Sequence, residues 1–276
     1  MTLLQTWYGL SDYEIENQVN DRISFMKFCE LSFEDTVPDH SVISRFRKAI
    51  TKQGAYEQLL KEINNQLESH CILVKQGAII DASITPSQRK PKGQKHYEST
   101  SEEPPKLKEI QKKGVDKEAS WTKKAGKLHY GYKKHYLCDK DTSLVLSVET
   151  ITAKDHDSKF MERCLNKVEL PSSVPIFADK GYFGKPNEEV IKKRGMKDRI
   201  QRKSVRGKAL SYWSKARNKL ISKVRYKVER IFGGIKKWFR SGICRYVGLD
   251  KTHGQHVLEA IAYNLKITPG LVIKQL

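Results

Sequence analysis

The apolar run Val174-Pro175-Ile176-Phe177-Ala178 stops abruptly at Asp179, with Gly181 and Gly184 close behind. Such a run reads as a buried strand that presents a carboxylate at its carboxyl end. Open α/β sheets bind ligands in the crevice beyond their strand ends, so an acid placed there is a candidate for chemistry. The two glycines let the backbone turn sharply beside it. The plainer alternative is a loop aspartate that caps the next helix.

A chain of 276 residues can bury a real core, with one main domain and an accessory one. Its formal net charge of +20 points to a polyanionic partner. Nucleic acid is favoured over membrane, because no apolar run approaches the roughly 20 residues that a spanning helix needs. From Lys192 to Arg240 there are 19 Lys or Arg against only Asp198 and Glu229, so this stretch carries 17 of the 20 net charges. That density on a segment with helical patterning favours contact with a phosphate backbone over a merely solvated face. Five cysteines, at 29, 71, 138, 164 and 244, are scattered and form no C-x-x-C pair, and they read as reduced packing residues of a cytosolic protein. No signal peptide is expected.

Residues 1 to about 70 read as helical. Ser11 and Asp12 look like capping residues, and Asp39 is a candidate cap for a helix whose stripe is Val42, Ile43, Phe46 and Ile50. Tyr56, Leu59, Leu60, Ile63 and Leu67 form a second stripe. Arg45, Arg47 and Lys48 could touch DNA, although surface arginines and lysines are more often solvated. The run Ala78 to Ile84 is a β-type segment with Asp81 in its middle, and a charge there is costly unless paired or bound to a cation. Residues 87 to about 127 lack periodicity and read as a long mobile loop or insertion. Leu128 to Leu137 and Leu144 to Val148 form a hairpin through Asp139-Lys140-Asp141. Asp155 or Asp157 is expected to cap a helix through Phe160, Met161, Cys164 and Leu165. After Asp179 come a helix over Asn187 to Lys193, a short strand near Arg199 to Gln201, and a long helix from Ser211 to Trp238.

On that long helix Arg225, Glu229 and Lys236 fall within about 40° of one another, beside a core stripe of Val224, Val228, Ile231 and Ile235. The innocent role for Glu229 is an ion pair with Arg225 one turn away. Asp81, Asp179 and Glu229 are each isolated in their own segment, which suggests a single site. Three carboxylates brought together repel unless divalent cations neutralise them, and oxygen-only ligands suit Mg²⁺ or Mn²⁺. Two such ions can activate a water or a 3′ hydroxyl for in-line attack on a phosphodiester.

These pieces resemble the DDE transposases of the bacterial insertion-sequence-five type, whose catalytic domain has the ribonuclease H fold. The resemblance rests on Ile79-Ile80-Asp81-Ala82-Ser83, on Phe177 through Tyr182, and on Arg225-Tyr226-Lys227-Val228-Glu229 continuing to Lys236. Leu4 through Asp12, Val37-Pro38-Asp39 to Arg45-Phe46-Arg47, and His129 through Lys133 are also similar, so the likeness covers nearly the whole chain. It implies an α/β fold, a ribonuclease H-like mixed sheet flanked by helices and preceded by an α-helical region. The expected division is a helical DNA-binding and assembly region over 1–75 and a catalytic domain over 76–276.

The resemblance further implies that Asp81, Asp179 and Glu229 hold two Mg²⁺ or Mn²⁺ ions, and that Arg225, Arg230, Lys236 and Lys237 contact DNA. The expected partners are double-stranded terminal inverted repeats, target DNA and a second copy of the chain, in a bacterial, nucleoid-associated setting with no membrane. His156-Asp157 falls where the family has a His-Asp pair, with helix capping as the alternative role. Two departures stand out. Ser222 replaces a frequent family Tyr, and Met1 falls where the family already has several dozen residues, so a truncated copy is expected. The competing readings are a nuclease that only hydrolyses and a DNA-binding copy that does not cut.

Overall fold

The computed structural model describes all residues except 93–95, 100–106, 111–113, 205, 206, 208 and 274–276, with 96–99 and 107–110 described by backbone alone. The amino-terminal quarter is helical: α1 (Thr2–Tyr8), α2 (Asp12–Asp21), α3 (Ile23–Phe28), α4 (His40–Lys52) and α5 (Ala55–Ser69). Their ends follow the local chemistry. Ser11 and Glu14 close a capping box on α2, and the Asp39 carboxylate accepts from Val42 N at the start of α4. Leu4, Ile15, Val19, Phe25, Met26 and Ile43 form a satellite core among these helices.

The α4 stripe is rotated from expectation. Val42 and Phe46 are exposed, and the buried side carries Ile43 and Arg47. Arg47 donates to both carboxylate oxygens of Asp12 and to Gln5, and its guanidinium lies 4.3 Å from the Tyr246 ring centroid. Buried among these partners, Arg47 holds the helices together and does not face DNA. An arginine can sit in a helix interface when a bidentate acid and an aromatic face satisfy it.

The sheet is built from β1 (Ala78–Pro86), β4 (Ser120–Lys124), β5 (Lys127–Asp139), β6 (Val145–Thr152), β7 (Pro175–Ala178) and β8 (Lys197–Ile200), while β2 (His96–Ser99) and β3 (Leu107–Ile110) pair only with each other. The main order is β4-β5-β1-β7-β8, and β6 pairs with β5 on the same side as β4. β5 is antiparallel to β1, whereas β7 and β8 run parallel to it. The result is the expected mixed α/β sheet behind a helical region.

Two corrections belong here. Part of the segment read as a mobile loop is strand: Ser120–Lys124 pairs with Lys127–Gly131 as an edge of the main sheet. The rest of that expectation falls partly on residues outside those described. The helix after β6, α6 (Met161–Asn166), starts at Phe160 with no side-chain cap, so neither Asp155 nor Asp157 caps it.

Alternation along the strands sorts the core into two layers. Ile79, Tyr136, Cys138 and Phe177 face α8 (Tyr212–Phe239) and α9 (Leu249–Val272). Ala78, Ile80, Leu137, Ile176 and Ala178 face α6 and α7 (Lys185–Lys193). Helix α9 runs through the interior with continuous burial from Gln255 to Asn264. Against it Lys134, fully buried, places its ammonium 2.6 Å from Glu259. Cys138, Cys164 and Cys244 are buried free thiols.

Candidate active site

Parallel pairing of β1 with β7 sets the first two site residues. Their last register pair is Ile80 with Ala178, so Asp81 and Asp179 are the next residues on neighbouring strands. Both share the parity of Ile79 and Phe177, and therefore the α8 side of the sheet. Asp81 lies in a nearly closed setting, 15% exposed at its side chain. Its Oδ1 accepts from Ala82 N at 2.8 Å and its Oδ2 accepts from Arg225 Nη2. Burial raises its pKa above the ordinary value and the nearby Asp179 adds to this, while Arg225 opposes both. Asp179 accepts from Gly181 N at 2.7 Å and so caps a single 3-10 turn, Lys180–Tyr182. The cap uses Oδ1 alone and leaves Oδ2 for another partner.

Helix α8 carries the remaining expected residues across this edge. Ser211 caps its first turn, and Val228, Ile231, Phe232 and Ile235 bury one side of it against the sheet. Arg225 is held from two sides, by Asp81 and by Gln201 Oε1 at 3.2 Å, and its Nε is buried with no partner. Gln201 is itself fixed: its N donates to Ala178 O and its side chain donates to Asn218 O and to Ser222 Oγ. Ser222, at the position where a Tyr is frequent, thus orients the residue that orients Arg225.

Glu229 stands one turn beyond Arg225 on the exposed side of α8, and the innocent ion pair with Arg225 is absent, since that guanidinium is turned to Asp81. Among the described residues no three Asp, Glu, His or Cys side chains stand together as a metal-holding group, so Glu229 is not gathered with the two aspartates. Arg230, Lys236 and Lys237 are exposed. The Lys236 pKa is lowered, first by desolvation and then by Lys134 and Lys124, a repulsion that a neighbouring phosphate would relieve.

The donor chemistry of the aspartate pair fits a hard divalent cation. Asp81 and Asp179 offer only oxygen, and the buried carboxylate of Asp81 already draws a cation to itself in the form of Arg225.

Other groups crowd the same edge that sequence reading did not place there. Lys133 donates to Asp155 O and to Asp157 Oδ1, and the buried His135 Nδ1 lies 2.5 Å from the Tyr182 hydroxyl. His156, not Asp157, is the capping residue of its pair, accepting from Ser158 N. A cavity of 860 Å³ lies elsewhere, lined by Glu57, Asn64, Lys75, Ser147 and Lys167 among others, and it contains neither aspartate. An acidic strand edge beside a basic helix suits a polyanion.

Residues 73–265 match the family described as the transposase DDE domain, and residues 1–49 match a second transposase domain, DUF772. The chain belongs to the DDE transposases. It is 30% identical over 224 residues to the transposase for insertion sequence element IS1106 of Neisseria meningitidis serogroup B, covering 80% of this chain and 75% of that protein. Among solved structures this transposase resembles a chain of the cryo-EM piggyBac transposase synaptic complex with hairpin DNA, at a TM-score of 0.44 and 9% identity. That likeness covers 87% of this chain and 56% of the other. Among the described residues of this family member no helix is long and apolar enough to cross a membrane.

Proposed function

We propose that this transposase cleaves DNA strands at the ends of its own element and joins the resulting 3′ hydroxyl to target DNA, with Asp81, Asp179 and Glu229 as ligands of two Mg²⁺ or Mn²⁺ ions. The observation that carries the reading is the juxtaposition of Asp81 and Asp179 on adjacent parallel strands, on the side covered by the basic helix α8. When bound, the divalent cations would supply activation of the attacking hydroxyl and stabilisation of the leaving oxygen.

The chain's own residues do the rest. Asp81 and Asp179 set the position along the sheet edge at which a phosphodiester must lie. Arg225, held by Gln201, offers a guanidinium that can pass from Asp81 to a phosphate, since bidentate recognition suits either anion. Arg230, Lys236 and Lys237 line the exposed side of the same helix and hold the duplex backbone, while Glu229 swings in from that side as the third carboxylate. Residues 1–75 serve in DNA binding and assembly, with two copies of the chain acting on a pair of terminal inverted repeats.

The test is cleavage of labelled DNA carrying the element's own ends, with Mg²⁺ and with chelator. Strand joining into a supercoiled plasmid separates a transposase from an enzyme that only hydrolyses. Binding without any cutting would leave the chain a DNA-binding copy.

A further inference from the structure

Asp157 lies at the same strand edge as Asp179, and the small residue between them is Gly181. A Cβ built on Gly181 would meet Asp179 Oδ1 at 2.9 Å and Asp157 Oδ2 at 3.3 Å, so the two carboxylates share the space that a side chain would need. The two oxygens of Asp157 have different surroundings. Lys133 Nζ donates to Oδ1 at 3.0 Å, whereas the described residues offer no hydrogen bond to Oδ2, which faces Gly181.

A second, independent feature points to the same place. His135 is fully buried, and its Nε2 has no hydrogen-bond partner although it lies 3.8 Å from Asp157 Oδ1. The other ring nitrogen, Nδ1, pairs with the Tyr182 hydroxyl, which leaves Nε2 turned toward Asp157 with no partner at hydrogen-bond distance. A buried ring nitrogen left without a partner costs free energy, and a carboxylate drawn slightly closer to its N–H form would remove that cost. One oxygen anchored by an ammonium and faced by an imidazole nitrogen, with the other turned to a neighbouring carboxylate, is how a carboxylate ligand is oriented by its outer shell.

We infer that Asp157 is a further ligand of the site, sharing a divalent cation with Asp179 through Oδ2, and that Lys133 and His135 are its positioning residues. This rests on the metal-dependent reading above, and it adds a fourth carboxylate to Asp81, Asp179 and Glu229. The purely structural alternative makes Asp157 only the counter-ion of Lys133.

Mn²⁺ uptake by the full chain, followed by electron paramagnetic resonance, separates the two without relying on activity. Asp157→Asn should weaken Mn²⁺ binding at least about tenfold, as Asp179→Asn should, since each removes one anionic oxygen donor. If Asp157→Asn binds Mn²⁺ within about threefold of the wild type while Asp179→Asn does not, the ligand role is overturned and the original reading stands. A wild-type chain that takes up no Mn²⁺, with or without DNA, sinks both. Should Asp157→Asn fail to fold, the unaltered chain decides. Fe²⁺ with ascorbate and peroxide cuts the backbone beside a bound ion, and cuts are expected at 155–158 as well as at 179–182. Cuts at 179–182 alone would contradict the proposal.

Discussion

Replacing Arg225 by Met tests whether the guanidinium is a stand-in for a divalent cation at Asp81. Both side chains are 15% exposed and their charged atoms are 2.5 Å apart. Removing one partner of a buried pair costs about 3–5 kcal/mol. Here Asp81 can shed part of that by taking up a proton, because burial has already raised its pKa, so a loss of about 2–3 kcal/mol is expected. In a chain of this size that is a fall of about 5–10 °C in Tm. The assay is thermal unfolding followed by circular dichroism in EDTA and again in millimolar Mn²⁺. Mn²⁺ should restore most of the loss in Arg225→Met and raise the wild type less, since in the wild type the ion competes with the guanidinium. An Arg225→Met protein as stable as wild type in EDTA would refute the ion pair. An equal loss with and without Mn²⁺ would refute the idea that a divalent cation replaces it.

Three further outcomes follow from other parts of the molecule. Lys134→Met should cost about 3–5 kcal/mol in urea unfolding, because it strands the buried Glu259 carboxylate, and the double change Lys134→Met with Glu259→Leu should recover most of that. Glu57 is held down to about 2, chiefly by its hydrogen bond with His253 and then by Lys167, so its contribution is present above its ordinary pKa and is lost as pH falls from about 4.5 toward 2. Its carboxylate is 40% exposed, so screening limits the effect to about 1 kcal/mol, visible as a flatter acid limb of the stability curve in Glu57→Gln. DNA affinity measured in chelator should fall more than about tenfold between 50 and 200 mM salt, and a smaller change would mean too few phosphate contacts for the basic face of α8.

Much of the sheet was legible because its strands are short apolar runs with local punctuation. Asp81 and Asp179 stood out as charges in or at the end of such runs, where a charge needs a reason. Glu229 was harder to read, since on an exposed helix face it has an ordinary role available, the ion pair with Arg225, which the turning of Arg225 toward Asp81 removes. Strand β4 was hidden because its Ser-Trp-Thr-Lys-Lys sequence is mostly exposed and is ordered by pairing with β5 rather than by its own pattern. The burial of Arg47 and of Lys134 was equally illegible. Their partners are Asp12 and Glu259, 35 and 125 residues away, and nothing in the local sequence distinguishes them from solvated cations. Asp157 was visible as a capping candidate and as half of a His-Asp pair, but its nearness to Asp179 depends on how two loops meet over Gly181.

The central claim is that Asp81, Asp179 and Glu229 act together as ligands of the cutting centre. It is tested most directly by end cleavage in Mg²⁺ at saturating DNA, comparing wild type with Asp81→Asn, Asp179→Asn and Glu229→Gln. Each near-isosteric change should lower cleavage by about a hundredfold or more while DNA binding is retained. A Glu229→Gln protein that cuts within about threefold of wild type would contradict the account, as would wild-type cleavage that persists undiminished in chelator.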